Sequence, residues 1–348
     1  MIDKCLDFYV PRYRRPLESF LRSAGGQVHP LGEADEGEAR VSKGDDTVLS
    51  MFSHVDPVEM RDALGKAGIE VPEYRVISGE DDIAFYATLE PPFVLRCGNQ
   101  NRFVQYGADT ILPYQQLISA AGQKSMVLEH AVYGSGLWVL VFVVDGAFQL
   151  HGIVDIKWLS ETFRFPMELH IPYSLSDRER DKLVTISEAV AETLGLSDGP
   201  VRIEYNYVES EECFQVIEVD CGWFSDALPV DLFALGNEGS YWENQIRLLN
   251  GEAVLAPDEA DQAVSLRWLH SRSGIVEDVQ HTDDVSETEG VMQLELCVEV
   301  GMTLRHVLDV ESRDRLGYVV ATGATSGEAR EVSRKAVDRI YIQRKTIL

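Results

Sequence analysis

The stretch GPVRIEYNYVESEECFQVIEVDCG, residues 199–222, decides how this chain is read. Two apolar runs with a strand's alternation flank an acidic turn, which is the pattern of a β-hairpin. Residues two apart on a strand share a face, so Glu218 and Asp220 point the same way from the second run. Folding the runs together across a loop centred near residues 209–212 brings Glu204 of the first run beside Glu218. Three carboxylates on one face repel one another unless something positive lies among them. A lysine or arginine, a hard cation such as Mg²⁺, or a solvated sheet edge would each answer that repulsion.

The chain around this hairpin has 348 residues, 45% of them hydrophobic and 26% charged, enough for a sizeable core in two or three folding units. Its formal net charge of −27, from 31 basic and 58 acidic residues, argues against a nucleic-acid partner or an anionic membrane surface. An anionic substrate would need a local positive site. Cys5, Cys97, Cys213, Cys221 and Cys297 show no CxxC or Cys/His spacing, so neither a zinc site nor a disulfide framework is indicated. A reducing, cytoplasmic setting is expected. The opening MIDKCLDFYVPRYRRPL has no apolar signal core, and LWVLVFVV (137–144) is far short of the roughly 20 residues of a membrane span.

Residues 1–55 read as a short α/β unit, with a helix over LESFLRSAGG, a charged loop at 32–46 and a buried strand at TVLSMF. The segment DPVEMRDALGKAGIEVPEY predicts a helix capped by Asp56, with Pro57 at its first position and Gly68 at its end. A strand-rich region follows, with one helix near PYQQLISAAG and a hairpin turn at Asp145-Gly146. SDRERDKLVTISEAVAETLGL is a long amphipathic helix starting at Ser176 or Asp177. ALPVDLFALGNEGSYWENQIRLLNG reads as helical. The tail alternates strands (AVSLRWLH, VMQLELCVEV, LGYVVATGA) with a last helix, SGEAREVSRKAVDRIYI.

The order of these parts resembles the ATP-grasp superfamily, and within it the carboxylate–amine ligases of the L-amino-acid-ligase kind. PPFVLRCG resembles the strand that ends in a phosphate-binding base, and VLEHAVYGSG the strand beside the adenine. GPVRIEYNY and FQVIEVD are similar to the two metal-binding strands, and AVSLRWLHSRSGIV with RLGYVVATGATSGEA to the closing segments. The resemblance implies an α+β and α/β protein: two α+β subdomains enclosing a nucleotide site, preceded by a short α/β domain. The boundaries would fall at 1–55, 56–160 and 161–348.

On this resemblance Arg96, Glu129, His130 and Val132 line the ATP, and Glu204, Glu218 and Asp220 hold one or two Mg²⁺. Arg267, Arg272 and Arg315 stand near the transferred phosphate. The implied reaction joins a small carboxylic acid and an amine, with a homodimer as the default assembly. Several residues depart from the family pattern. Asp56-Pro57 replaces Asp-Lys, and Arg96 replaces a lysine. The flap at 97–107 is short, Asp220 stands for asparagine, and Gly222 stands for arginine. A second reading therefore stays open, an accessory protein of the same fold without turnover. His54, His151, His170, His270 and His306 make no metal-binding pair, Cys221 has no assignable partner, and YGSGL is not a nucleophile elbow.

Overall fold

A computed structural model describes residues 6–11, 22, 27–31, 40–43, 48–50, 53–79, 82, 92–97, 100–104, 111–121, 126–131, 134–160, 163–196, 199–221, 241–255, 262–304 and 316–346. The chain begins with β1 (Leu6–Pro11), β2 (Gln27–Leu31), β3 (Arg40–Lys43), β4 (Val48–Ser50), β5 (Ser53–His54) and α1 (Pro57–Lys66). Then come β6 (Tyr74–Ile77), β7 (Phe93–Cys97), β8 (Gln100–Val104), α2 (Ile111–Ala121) and β9 (Met126–His130). The middle of the chain forms β10 (Ser135–Val144), β11 (Ala147–Ser160), β12 (Phe163–Ile171), α3 (Asp177–Thr193), β13 (Gly199–Val208), β14 (Cys213–Cys221) and α4 (Tyr241–Leu249). The tail holds β15 (Ala263–Trp268), β16 (Gly274–Gln280), α5 (Thr282–Ser286), β17 (Val291–Leu296) and β18 (Thr303–Leu304). It ends with β19 (Gly317–Gly323), α6 (Ser326–Arg339) and β20 (Tyr341–Lys345).

The framework is a nine-stranded sheet ordered β17-β19-β15-β12-β11-β10-β13-β14-β5. A four-stranded sheet, β6-β9-β7-β8, forms a second unit beside it. The described residues also form a β2-β1-β3-β4 sheet and a β18-β16-β20 sheet. The run LWVLVFVV is the interior of β10, whose residues from Gly136 to Val143 are all buried, as a strand covered on both faces requires. The predicted turn joins β10 to β11, with Asp145 at φ 51° and Gly146 at φ 75°, the two positive values of a type I′ turn.

Register assigns the two faces of the large sheet. Leu137, Val139, Val141, Ile203, Tyr205 and Val219 point to one face, where they form a core with Met60 and Leu64 of α1 and Leu183 and Val190 of α3. On that same face, Ser187 of α3 shares a 2.8 Å hydrogen bond with the Tyr205 hydroxyl. Ser265 of β15 is bonded in the same way to Ser333 of α6, so α3 and α6 cover one side together. Trp138, Arg202 and Glu204 alternate with these residues and point to the opposite face. On that side Tyr241 of α4 packs against Phe142 and His151, with ring centroids 5.1 and 5.4 Å away.

Capping residues start the helices where the sequence indicates. Asp56 Oδ1 accepts from the Val58 and Glu59 amides at 2.9 and 3.2 Å, and Pro57 occupies the first turn of α1. Ser176 and Glu179 form a complete capping box on α3. Ser176→Ala should therefore destabilise the protein by about 1 kcal/mol, read as a shift in the urea midpoint. Gly136 is fixed by contact: a Cβ there would lie 2.5 Å from Trp158 Nε1. Gly136→Ala should cost about 1–3 kcal/mol in a thermal melt, because Trp158 must move out of a packed face.

Four expectations need correction or limits. The charged loop at 32–46 contains β3, which pairs with β1 and β4. The last helix stops at Arg339, and Tyr341 to Lys345 pair with β16 instead, because the alternating Tyr341-Ile342 stretch suits an edge strand. Most of LESFLRSAGG and residues 222–240 lie outside the described residues, so of the segment after the hairpin only Tyr241–Leu249 is described as helix. The expected boundaries at 55 and 160 both cut through the nine-stranded sheet, which contains β5, β10 and β11. No helix among the described residues is long and apolar enough to cross a membrane.

Candidate active site

The stretch 199–221 folds as the predicted hairpin, and its register sets Glu204 opposite Glu218 and Arg202 opposite Asp220. The register shifts by one residue after Glu204, since Tyr205 faces Val216 while Glu204 faces Glu218. Ile217 is thus the extra residue of a β-bulge. The bulge keeps Glu218 and Asp220 on the Trp138 face while Val216 and Val219 stay in the core. Trp138 lies opposite Glu204 on β10 and its Nε1 donates to Glu204 Oε2 at 3.2 Å. The Arg202 guanidinium stacks on the Trp138 ring, 4.8 Å from its centroid, and forms an ion pair with Asp220.

The second wall comes from the four-stranded sheet. Adjacent strands β7 and β9 place Arg96 and Glu129 together, and the Arg96 Nε donates to Glu129 Oε1. Arg96 Nη1 reaches across to within 3.7 Å of Glu218 Oε2. The other Glu129 oxygen accepts from Arg61 of α1, from Nε at 3.1 Å and Nη2 at 2.7 Å. Arg61 also donates to the Val216 and Ile217 carbonyls at 3.1 and 2.8 Å. These are carbonyls at the bulge, where the regular ladder is interrupted. Arg61 is 0% exposed and Glu129 2%. One guanidinium therefore fastens the small sheet to the strand that carries Glu218.

The electrostatics follow from this geometry. Burial works to raise the Glu129 carboxyl, but the Arg61 and Arg96 guanidiniums outweigh it and hold the group below the usual carboxylate range. Burial alone would lower Arg96 and Arg202. Glu129 and Glu218 beside Arg96, and Asp220 and Glu218 beside Arg202, more than reverse that, and both rise. The Cys221 thiol is pushed up to about 12 by burial and then by Asp220, so it carries no thiolate at neutral pH. His151 is pushed down to about 4 by burial and stays neutral.

A pH prediction follows for Glu129. Its folded pKa is depressed, so the stability it contributes is complete above its ordinary value of 4.5 and is lost as pH falls through the folded value. The gap in urea midpoint between wild type and Glu129→Gln should be widest at neutral pH and narrow on acidification below 4.5.

The structure brings five of the expected residues together: Arg96, Glu129, Glu204, Glu218 and Asp220. His130, next to Glu129 on β9, points to the other face of the small sheet, exposed, with its ring centroid 4.9 Å from that of Phe93 opposite it. Val132 and Arg315 lie outside the described residues. Arg267 is elsewhere. It pairs with Glu168 directly opposite it on β12, and its strand register puts it with Ser265 and His170 on the helix-covered face of the sheet. Arg267 is thus on the reverse side from Glu204, held by a charge that attracts it more closely than a distant phosphate would. Arg272 is exposed on the connection between β15 and β16.

Among the described residues no group of three or more His, Cys, Asp or Glu side chains is gathered to hold a metal. Glu204 and Glu218 face each other and suit one hard cation that also takes phosphate oxygens. Asp220 does not join them, because Arg202 holds it.

Two residues of this site, Arg61 and Arg202, were not singled out from the sequence. Arg61 occupies the buried stripe Pro57, Met60, Arg61, Leu64 of α1, and an arginine in an apolar stripe is a signal of a buried partner. Arg202 is two residues before Glu204, and the same alternation that joined Glu218 to Asp220 puts it on their face.

Residues 267–344 match the family described as L-amino acid ligase C-terminal domain 2. A curated relative, the uncharacterized protein y4rH of Sinorhizobium fredii, is 26% identical over 298 residues, covering 80% of this chain and 59% of that protein. The chain thus spans well under two thirds of that relative's length. The solved L-amino acid ligase of Bacillus licheniformis superposes with a TM-score of 0.72 at 14% identity, over 84% of this chain and 73% of that one. A carboxyaminoimidazole ribonucleotide synthase of Aspergillus clavatus, solved with ATP, gives 0.62 at 15% identity, over 82% and 73%. Biotin carboxylase of Campylobacter jejuni gives 0.60 at 15%, over 84% and 67%. This chain has the fold of these ATP-grasp proteins, and its residues 267–344 match the model of the second C-terminal domain of the L-amino acid ligases.

Proposed function

We propose that the chain is an ATP- and Mg²⁺-dependent ligase that joins a small carboxylic or amino acid to an amine. The observation that carries this reading is the meeting of Arg96, from the small sheet, with Glu218, from the large one, at 3.7 Å. A cation on one wall and paired carboxylates on the other are what a polyphosphate with its metal requires. Arg96 neutralises phosphate oxygens, and its bond to Glu129 fixes the direction of its fork. Glu204 and Glu218 would hold Mg²⁺, which when bound screens the phosphate charge from the incoming carboxylate.

The carboxylate oxygen attacks the γ-phosphorus and the bond to the β-phosphate oxygen breaks, giving an acyl phosphate and ADP. The amine then attacks the acyl carbon, the phosphate leaves, and the nitrogen loses a proton to give the amide. Positioning and charge neutralisation supply most of the rate in such transfers. The proposed partners are small molecules, in a cytoplasmic setting, with the chain as a homodimer.

The second reading, a nucleotide-binding accessory protein without turnover, is favoured by one observation: Asp220 is paired with Arg202. Calorimetry with Mg-ATP followed by turnover assays over pools of carboxylic and amino acids separates the two. Binding with carboxylate-dependent ADP release supports the ligase. Binding without release under any pool supports the accessory protein, and absence of binding contradicts both.

A further inference from the structure

We propose that His170 makes the docking of α6 sensitive to pH: the neutral ring lets Arg330 hold the helix to the sheet, and a proton on the ring releases it. The device lies on the helix-covered face, away from the nucleotide site, and does not depend on the ligase reading. Asp155 stands opposite Leu137 of β10 and opposite His170 of β12, and His170 stands opposite Ser265 of β15. Lys157 and Glu168 are each two residues from one of this pair on its strand, so they share the face.

Asp155 pairs with Arg330 of α6 and with Lys157, whose Nζ is 3.1 Å away. Glu168 pairs with Arg267 through Oε1 and with His170 Nε2 through Oε2, the latter at 2.9 Å. The His170 side chain is 0% exposed. An ionised Glu168 only accepts hydrogen bonds, so Nε2 carries the ring proton and Nδ1 is bare. Among the described residues Nδ1 has no hydrogen-bond partner. Three cations therefore face two carboxylates around a neutral ring. The buried residues of α3, Leu183, Ser187, Val190 and Ala191, bring no charge to this face. Tyr173, just past β12, brings none either, because burial and then Asp155 push its hydroxyl up to about 12.

A proton on Nδ1 adds a fourth cation and a new donor. The carboxylate opposite that ring is Asp155, the group that holds Arg330. Asp155 is then drawn toward His170 while Arg330 is repelled, and both effects loosen the same pair. Arg267 and Lys157 are built into the sheet, whereas Arg330 stands on a separate helix and is 37% exposed, with a way out to solvent. The buried residues of α6 are Ala329, Ser333 and Ala336, whose small side chains remove little apolar area from water.

The sign follows from the folded state. Burial, with Arg330 behind it, holds the His170 ring below its ordinary value of 6.5, against the pull of Glu168 and Asp155. The ring takes a proton more readily once α6 lifts, so docking is strongest above 6.5 and weakens as pH falls below it. Burial works to raise the Glu168 carboxyl, but His170 and Arg267 outweigh it and hold the group below 4.5. Its own contribution is therefore lost only below 4.5, outside the histidine window.

Hydrogen exchange of the full chain, followed by mass spectrometry from about pH 7.5 to about pH 5 and corrected for chemical exchange, reads the latch. In wild type, protection of residues 326–339 should fall on the order of tenfold across that range, while α3 changes little. His170→Gln keeps a donor for Glu168 and has nothing to titrate, so its α6 protection should stay level. Arg330→Gln should show low α6 protection already at neutral pH, with no further fall on acidification. His151, also buried and neutral, is common to all three proteins, so its titration cancels. Wild-type α6 protection that ignores pH, or that falls equally in His170→Gln, overturns the proposal. If His170→Gln does not fold, Arg330→Gln decides, because a fall with pH as large as the wild-type one overturns it too.

Discussion

Replacing Arg61 by alanine is expected to destabilise the protein by about 3–5 kcal/mol, the range seen when one partner of a buried ion pair is removed. The loss has three parts. Glu129, 2% exposed, keeps only Arg96 as a charged partner among the described residues. The Val216 and Ile217 carbonyls lose the donors that reach them at the bulge. A large side chain in the core around Met60 and Leu64 becomes a cavity. Urea unfolding measures the total. Arg61→Lys separates charge from shape: one ammonium cannot reach Glu129 and two carbonyls with the fork of a guanidinium. Lysine should therefore recover only part of the loss. A midpoint shift within error for Arg61→Ala would mean that the small sheet is held to β14 by something else. Because Arg61 ties Glu129 to the strand bearing Glu218, nucleotide affinity in the surviving folded fraction should also fall.

Glu218→Ala is expected to reduce carboxylate-dependent ADP release on the order of 10²–10³-fold, the usual size for removing one charge-stabilising group from a transition state. Arg267→Gln should leave release per folded molecule close to wild type. The contrast is informative because the resemblance implies a site role for both residues, yet they lie on opposite faces of one sheet. Glu218 faces Arg96 of the small sheet, whereas Arg267 faces Glu168 on the helix-covered face. The reverse pattern, with Arg267→Gln inactive and Glu218→Ala unaffected, would move the chemistry to the helix-covered face.

Much of the fold was legible because local signals were strong and agreed with one another. Asp56-Pro57, Ser176 with Glu179, and Asp145-Gly146 mark their caps and turn through backbone chemistry that depends little on distant residues. The alternation in 199–221 placed Glu204 beside Glu218 correctly. What strand alternation alone does not reveal is which cation each carboxylate meets, since that depends on which strand lies alongside. Asp220 was read with metal in view, but Arg202 of the paired strand takes it. The face that Arg267 takes was not legible for the same reason: its partner, Glu168, lies about a hundred residues away on a strand that the sequence marks only weakly. Short strands such as β3, and β20 at the edge of its sheet, also escaped, because pairing partners rather than propensity create them.

The most direct test of the central claim is ADP release by the purified full chain with Mg-ATP and pooled carboxylic and amino acids, run beside Glu218→Ala. Release that requires both a carboxylate and an amine, and that is lost in Glu218→Ala, is the predicted result. Nucleotide bound but never turned over by wild type, in any pool, would contradict the claim.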